Sequence, residues 1–199
     1  IEFDINITIN NQIVIFHDDD LNRICNKKER IEEVTYDFLK DLKLYESDEK
    51  IPLLKELLVE ISGKILLVIE IKKHKNIGIL ENKLVDLLEN YKGKYLICSF
   101  EKNILFWFKK NKPNFKRGLI FESNPKKFEK YNKTLFLYKY YKSRADFISL
   151  DYKLLDSSIY DFCVKNSLDL ITWTIRNKEN FEKLKEKVDA VIFESLFKL

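Results

Sequence analysis

Glu2 and Asp4 stand two residues apart in Ile1-Glu2-Phe3-Asp4-Ile5, and Glu70 closes an apolar run in Leu66-Leu67-Val68-Ile69-Glu70-Ile71-Lys72. Alternate residues of a β-strand share a face, so Glu2 projects with Asp4 and Glu70 with Lys72, while Phe3, Ile69 and Ile71 project the other way. Carboxylates at a strand end are costly to bury unless they pair or bind a cation, and an all-oxygen set suits magnesium, calcium or manganese better than zinc. The same spacing also permits a plain ion pair from Lys72 to Glu70 or Asp4. Between these carboxylates in sequence lies Phe16-His17-Asp18. His17 supplies a titratable imidazole, and with three oxygen ligands it makes up the minimum equipment for metal-assisted cleavage of a phosphate ester. The acids Asp18, Asp19 and Asp20 would favour the imidazolium if close to the ring; the competing reading is a turn of solvated acids. His74, inside Lys72-Lys73-His74-Lys75, is expected in a solvated basic loop.

The elements that must hold these groups read as alternating strands and helices. Apolar runs at 1–7, 65–71, 95–99, 119–121, 147–150, 170–175 and 190–193 give about seven parallel-type strands. Helical periodicity falls between them, around 80–88, 104–110, 157–165 and 178–187. Strands that are apolar almost throughout are buried on both faces, which favours an α/β sheet or barrel over an antiparallel sandwich. Polar residues gather at the strand ends: Glu70, Ser99, Glu122, Asp151, Thr174 and Glu194. A TIM-type (β/α)8 barrel keeps its active site there. An open doubly wound sheet is the rival, although no glycine-rich turn follows any strand. Residues 10–63 break the rhythm and read as an insertion after the first strand. It begins with an Asn10-Asn11 turn and a hairpin return over 12–17, then a helix capped by Thr35 that runs to Leu42, and another from Pro52 to near Gly63.

At 199 residues and 45% hydrophobic, the chain can bury a substantial core, and its length predicts one domain spanning 1–199. The net charge of +4 argues against a dedicated polyanion binder yet suits a locally positive pocket for a small anionic substrate. Apolar runs stop far short of the roughly 18 residues needed for a bilayer span. Cys25, Cys98 and Cys163 are odd in number and lack paired spacing, which points to free thiols in a reducing, cytoplasmic compartment. The first residue is Ile1 and the sequence contains no methionine, so a leader upstream stays open. The Lys- and Tyr-rich stretch from Lys126 to Arg144 offers two readings: stacking on single-stranded nucleic acid, or a solvated helix with a buried aromatic face. No nucleic-acid partner is assigned, and the oligomeric state is not legible.

Several ordered motifs together resemble the glycerophosphodiester phosphodiesterase family, whose members are (β/α)8 barrels with a metal-dependent site. The family's E-x-D appears as Glu2-Phe3-Asp4, and its H-D-x-x-L-x-R as His17-Asp18-Asp19-Asp20-Leu21-Asn22-Arg23. Thr35-Tyr36-Asp37-Phe38-Leu39 and Ile51-Pro52-Leu53-Leu54 match stretches of its insertion; Glu70-Ile71-Lys72 and Trp173-Thr174 match its E-x-K and W-T. The resemblance implies that Glu2, Asp4 and Glu70 hold Mg2+ or Ca2+, that His17 is one of two acid/base histidines, that Lys72 contacts phosphate and that Trp173 walls the pocket. It implies hydrolysis of a glycerophosphodiester to glycerol 3-phosphate and an alcohol, in lipid or glycerol metabolism.

The family's H-R-G and P-E-N segments, with a second histidine and a phosphate-gripping arginine, do not occur within these residues. The expectation is therefore a parent polypeptide with one further βα unit upstream. Arg176 stands where the family has asparagine, and Glu194 where it has aspartate; Arg176 reads as a solvated helix-start residue. Two alternatives accompany the hydrolase: a catalytically inactive phosphodiester-binding barrel, and intramolecular phosphodiester transfer of the sphingomyelinase D type.

Overall fold

The computed structural model describes residues 1–124 and 126–194; residues 125 and 195–199 of the expected 1–199 domain lie outside the described residues. The chain divides into two compact units, Ile1–Ile97 and Cys98–Leu199.

In the first unit, β1 (Glu2–Ile7) turns back into β2 (Ile13–Ile15) with antiparallel register Ile5 to Ile15 and Ile7 to Ile13. Asn11 takes the left-handed conformation, φ 59°, and the Thr8 N–H donates to the Gln12 carbonyl at 3.0 Å, so the Asn-Asn pair closes the hairpin. The return strand is shorter than the expected 12–17; Phe16 N–H still donates to the Asp4 carbonyl, and Ile15 N–H donates to the Pro52 carbonyl. Two short helices follow, α1 (Asn22–Cys25) and α2 (Tyr36–Leu39), then α3 (Leu54–Ile61). The Thr35 hydroxyl does cap α2, accepting from Phe38 N–H. α2 stops at Leu39, and α3 starts two residues past Pro52, where the Glu56 carboxylate accepts from Leu53 N–H at 2.9 Å. Val14, Phe16, Leu21, Ile31, Leu39, Ile51 and Leu53 form a separate apolar cluster under the insertion. Each fully buried aliphatic of this kind contributes about 2 kcal/mol, enough together to hold a segment with little regular structure.

β3 (Leu67–Ile71) then pairs parallel with β1, setting Asp4 opposite Glu70. α4 (Ile79–Glu89) buries Leu80, Leu84 and Leu88, a helical stripe, and β4 (Tyr95–Ser99) crosses the unit boundary.

The second unit continues the rhythm: α5 (Lys102–Asn111), β5 (Arg117–Phe121), α6 (Glu129–Ser143), β6 (Phe147–Asp151), α7 (Ser158–Lys165), β7 (Asp169–Ile175), α8 (Lys178–Leu184) and β8 (Ala190–Phe193). The pairs β5 with β6, β6 with β7 and β7 with β8 are all parallel. Leu119, Phe121, Phe136, Ile148, Leu150 and Ile159 lie at its core. Gly118 is needed there, since a β-carbon would sit 2.2 Å from the Phe147 ring. Among the described residues β1 and β3 to β8 make seven strands of the βα series, with β2 as the hairpin return. Within the Lys126 to Arg144 stretch, α6 buries Phe136, whereas Tyr131, Tyr138 and Tyr141 face solvent. All three cysteines are free; burial pushes the Cys163 thiol up to about 12, an inert group. Among the described residues no helix is long and apolar enough to cross a membrane.

Candidate active site

The parallel register of β1 and β3 brings three carboxylates together: a ligand oxygen from each of Glu2, Asp4 and Glu70 lies within 4.8 Å of the others. Lys72, just past the end of β3, reaches back over them. Its ammonium lies 2.8 Å from Asp4 Oδ1 and 2.7 Å from Glu70 Oε1, with only 14% of the side chain exposed. The ion pair and the acidic cluster, alternatives at the level of spacing, thus coexist. Burial raises the Glu70 pKa above the ordinary carboxylate range and Asp4 adds to the rise, with Lys72 opposing both. For Lys72, burial acts downward, but the Glu70 and Asp4 charges outweigh it and hold the ammonium above its usual value. Three carboxylate oxygens so close together form the all-oxygen donor set that a hard cation takes.

His17 follows β2. Phe16 N–H donates to Asp4 O at 3.0 Å, which ties the hairpin end to the strand carrying the acids. Buried Asn6 donates from its amide to the carbonyls of Phe16 at 2.9 Å and Asp18 at 3.2 Å, fixing the backbone on both sides of His17. Glu2, Asp4 and His17 line one cleft of about 500 Å³, walled by Ile15, Phe16, Ile24 and Leu44 and rimmed by Tyr45, Ser47 and Glu49 of the insertion.

The aspartate run does not behave as one solvated patch. Asp18 is 19% exposed and accepts from His17 Nδ1 at 2.6 Å and from the Arg23 fork at 2.7 and 2.8 Å. Asp20 accepts from Asn22 N–H at the start of α1, and Asp19 faces Arg30 at 3.5 Å. Arg23 holds Asp18 well below the usual carboxylate range, at about 2, against a smaller upward pull from burial and with help from His17. Sequence reading placed Arg23 in a motif without giving it a role and did not single out Tyr45, whose hydroxyl accepts from Arg23 at 2.6 Å. The Asp-to-Arg spacing within H-D-x-x-L-x-R was the available signal.

His74 requires a correction. Its side chain is 4% exposed rather than solvated, with Nδ1 2.9 Å from the Lys72 carbonyl and Nε2 3.1 Å from the fully buried Glu81. Burial lowers its pKa, but the Glu81 and Lys72 contacts prevail and raise it. Basic neighbours in sequence signalled solvent; the partner lies on α4 and was not legible locally.

Trp173 lies on β7 in the second unit, edge-on to Phe100 with ring centroids 5.8 Å apart, and its indole N–H is buried without a hydrogen-bond partner among the described residues. Arg176 pairs with Glu194 at 3.0 Å on the exposed surface.

The glycerophosphoryl diester phosphodiesterase family model matches residues 1–196. A glycerophosphodiester phosphodiesterase of Caldanaerobacter subterraneus is 30% identical over 209 residues, covering 96% of this chain and 80% of that protein. Among solved structures, an Oleispira antarctica phosphodiesterase in complex with the product sn-glycerol-3-phosphate superposes with TM-score 0.82 at 21% identity, over 96% of this chain and 79% of its own. A Thermotoga maritima glycerophosphodiester phosphodiesterase gives 0.74 at 22% identity, over 96% and 80%. Those likenesses establish the fold as the expected α/β, TIM-barrel type.

Proposed function

The chain belongs to the glycerophosphoryl diester phosphodiesterase family and is a hydrolase of glycerophosphodiesters; from that premise we propose how its own residues carry the reaction. Glu2, Asp4 and Glu70 would hold a divalent cation, Mg2+ or Ca2+. The donor set fits such an ion, being all oxygen, closely spaced and partly desolvated. When bound, the ion supplies charge neutralisation and polarisation at the phosphoryl group. Lys72 would contact a phosphate oxygen and offset developing negative charge. His17 would serve as a proton carrier, with its Nδ1–H committed to Asp18 and Nε2 left for the substrate. Hydrolysis needs a proton taken from water and one given to the departing alcohol, and His17 would serve one of these oxygens. His74, held by Glu81 and the Lys72 carbonyl, is occupied elsewhere. Trp173 would wall the substrate pocket. We propose further that 1–199 is a single catalytic domain with 10–63 as its insertion, working in a reducing, cytoplasmic setting that suits three free thiols.

The observation that supports this reading is the convergence of Glu2, Asp4 and Glu70, two of which, Glu2 and Asp4, line the same cleft as His17. The test is release of glycerol 3-phosphate from glycerophosphocholine with Mg2+ or Ca2+. His17→Ala should abolish most release while calorimetric metal affinity stays within about twofold, because His17 is placed outside the acidic set. Unchanged release would remove His17 from the mechanism. A cyclic phosphate product would replace hydrolysis by intramolecular transfer.

A further inference from the structure

The His17 ring is exposed by 63%, so packing does not orient it. Asn6 fixes the backbone on either side but touches neither ring nor carboxylate. Among the described residues the ring's polar contact is Asp18 Oδ1 at 2.6 Å, between adjacent residues whose side chains would otherwise rotate independently. Asp18 is fixed by Arg23: Nε meets Oδ2 at 2.7 Å and a terminal nitrogen meets Oδ1 at 2.8 Å, the two-point grip that fits a planar carboxylate. Arg23 is itself 57% exposed, and its other terminal nitrogen donates to the Tyr45 hydroxyl at 2.6 Å. Tyr45 sits on the insertion with φ 54° and lines the same cleft as His17.

We propose that Arg23 is a positioning residue for His17: its fork locks Asp18 so that Oδ1 accepts the Nδ1 proton and Nε2 is presented to the substrate, while Tyr45 anchors the fork from the insertion. The insertion therefore sets the catalytic tautomer as well as forming one wall of the cleft. This rests on His17 being the proton carrier proposed above. Partners that orient a metal-bound imidazole are worth about 10- to 100-fold in activity, and the same scale is expected for a proton-carrying one.

The test combines kinetics with glycerophosphocholine and Mg2+ and nitrogen-15 NMR of the histidine rings in the full chain, whose two histidines are told apart with His74→Gln. Arg23→Gln should lower kcat by about 10- to 100-fold with KM within about twofold, and should convert His17 from one tautomer to a mixture. Arg23→Lys, which keeps the charge and loses the fork, should fall between. Tyr45→Phe keeps the ring and should shift the tautomer in the same direction by less; it and Arg23→Lys carry the test if Arg23→Gln does not fold. A wild-type tautomer and kcat in Arg23→Gln, or in both milder variants, would overturn the proposal. If wild type hydrolyses nothing, the hydrolase chemistry fails, and the tautomer comparison still decides the role of Arg23.

Discussion

Replacing Lys72 by methionine would remove the ammonium that lies 2.8 Å from Asp4 and 2.7 Å from Glu70, leaving three carboxylates within 4.8 Å of one another. At an effective dielectric of about 20, each contact is worth about 6 kcal/mol of gross attraction, most of it offset by desolvation. Removing one partner of such a buried set costs about 3 kcal/mol, because the other charges stay behind. Protonation limits that cost. Glu70 is already raised by burial with Lys72 present, so without Lys72 it rises further. A carboxylate with a raised folded pKa costs nothing at pH values below its unfolded pKa and loses stability as pH climbs through the folded value. Urea unfolding in a chelator should therefore show a gap between wild type and Lys72→Met of about 3 kcal/mol near pH 8 and under about 1 near pH 5. Metal affinity should move the opposite way, rising about tenfold, since the ion no longer competes with an ammonium for the same oxygens. Metal at a concentration about 100 times the wild-type Kd would then stabilise wild type by about 2.7 kcal/mol and the variant by about 4.1, narrowing the gap to about 1.6. An equal gap at both pH values, or weaker metal binding by the variant, would refute the claim that Lys72 neutralises this cluster.

Asp18→Asn should lose about 1 kcal/mol near pH 5, a value discounted for solvent screening, and the difference should fade as acid takes the wild type from about 4 towards its folded pKa of about 2. Urea titrations at both ends of that range measure it. His74→Gln tests the buried pair with Glu81. The raised His74 pKa means its stabilisation is complete below the unfolded value near 6.5 and lost as pH rises through the folded one, so the unfolding gap should be larger near pH 5 than near pH 9.

Sequence periodicity placed the strands because most are buried throughout, and it erred where a distant partner neutralised a charge. β5 begins at Arg117, two residues earlier than the apolar run suggests, because the 1% exposed guanidinium pairs with Asp146 at 2.7 Å. The opposite error occurs at Ile65 and Leu66, apolar but about half exposed and outside β3. His74 was misread for the same reason as Arg117: composition near a residue says little about a partner on another element. The acidic trio was legible because a period-two rule places Glu2 with Asp4, and a parallel partner then needs only the correct register to add Glu70.

Register also explains why the ammonium and the acids occupy one place. Lys72 N–H donates to the Ile5 carbonyl at 3.1 Å, extending the β1 and β3 pairing one residue beyond β3. That bond puts Lys72 on the same face as Glu70, two residues away, and above Asp4 across the pair. A one-residue slip would turn every side chain of β3 to the other face, burying Glu70 where Ile69 and Ile71 now pack. The buried isoleucines, each 1% exposed or less, oppose that slip. The apolar side of β3 thereby holds the polar side in position, so a cavity made by Ile69→Ala should loosen metal binding although Ile69 supplies no ligand.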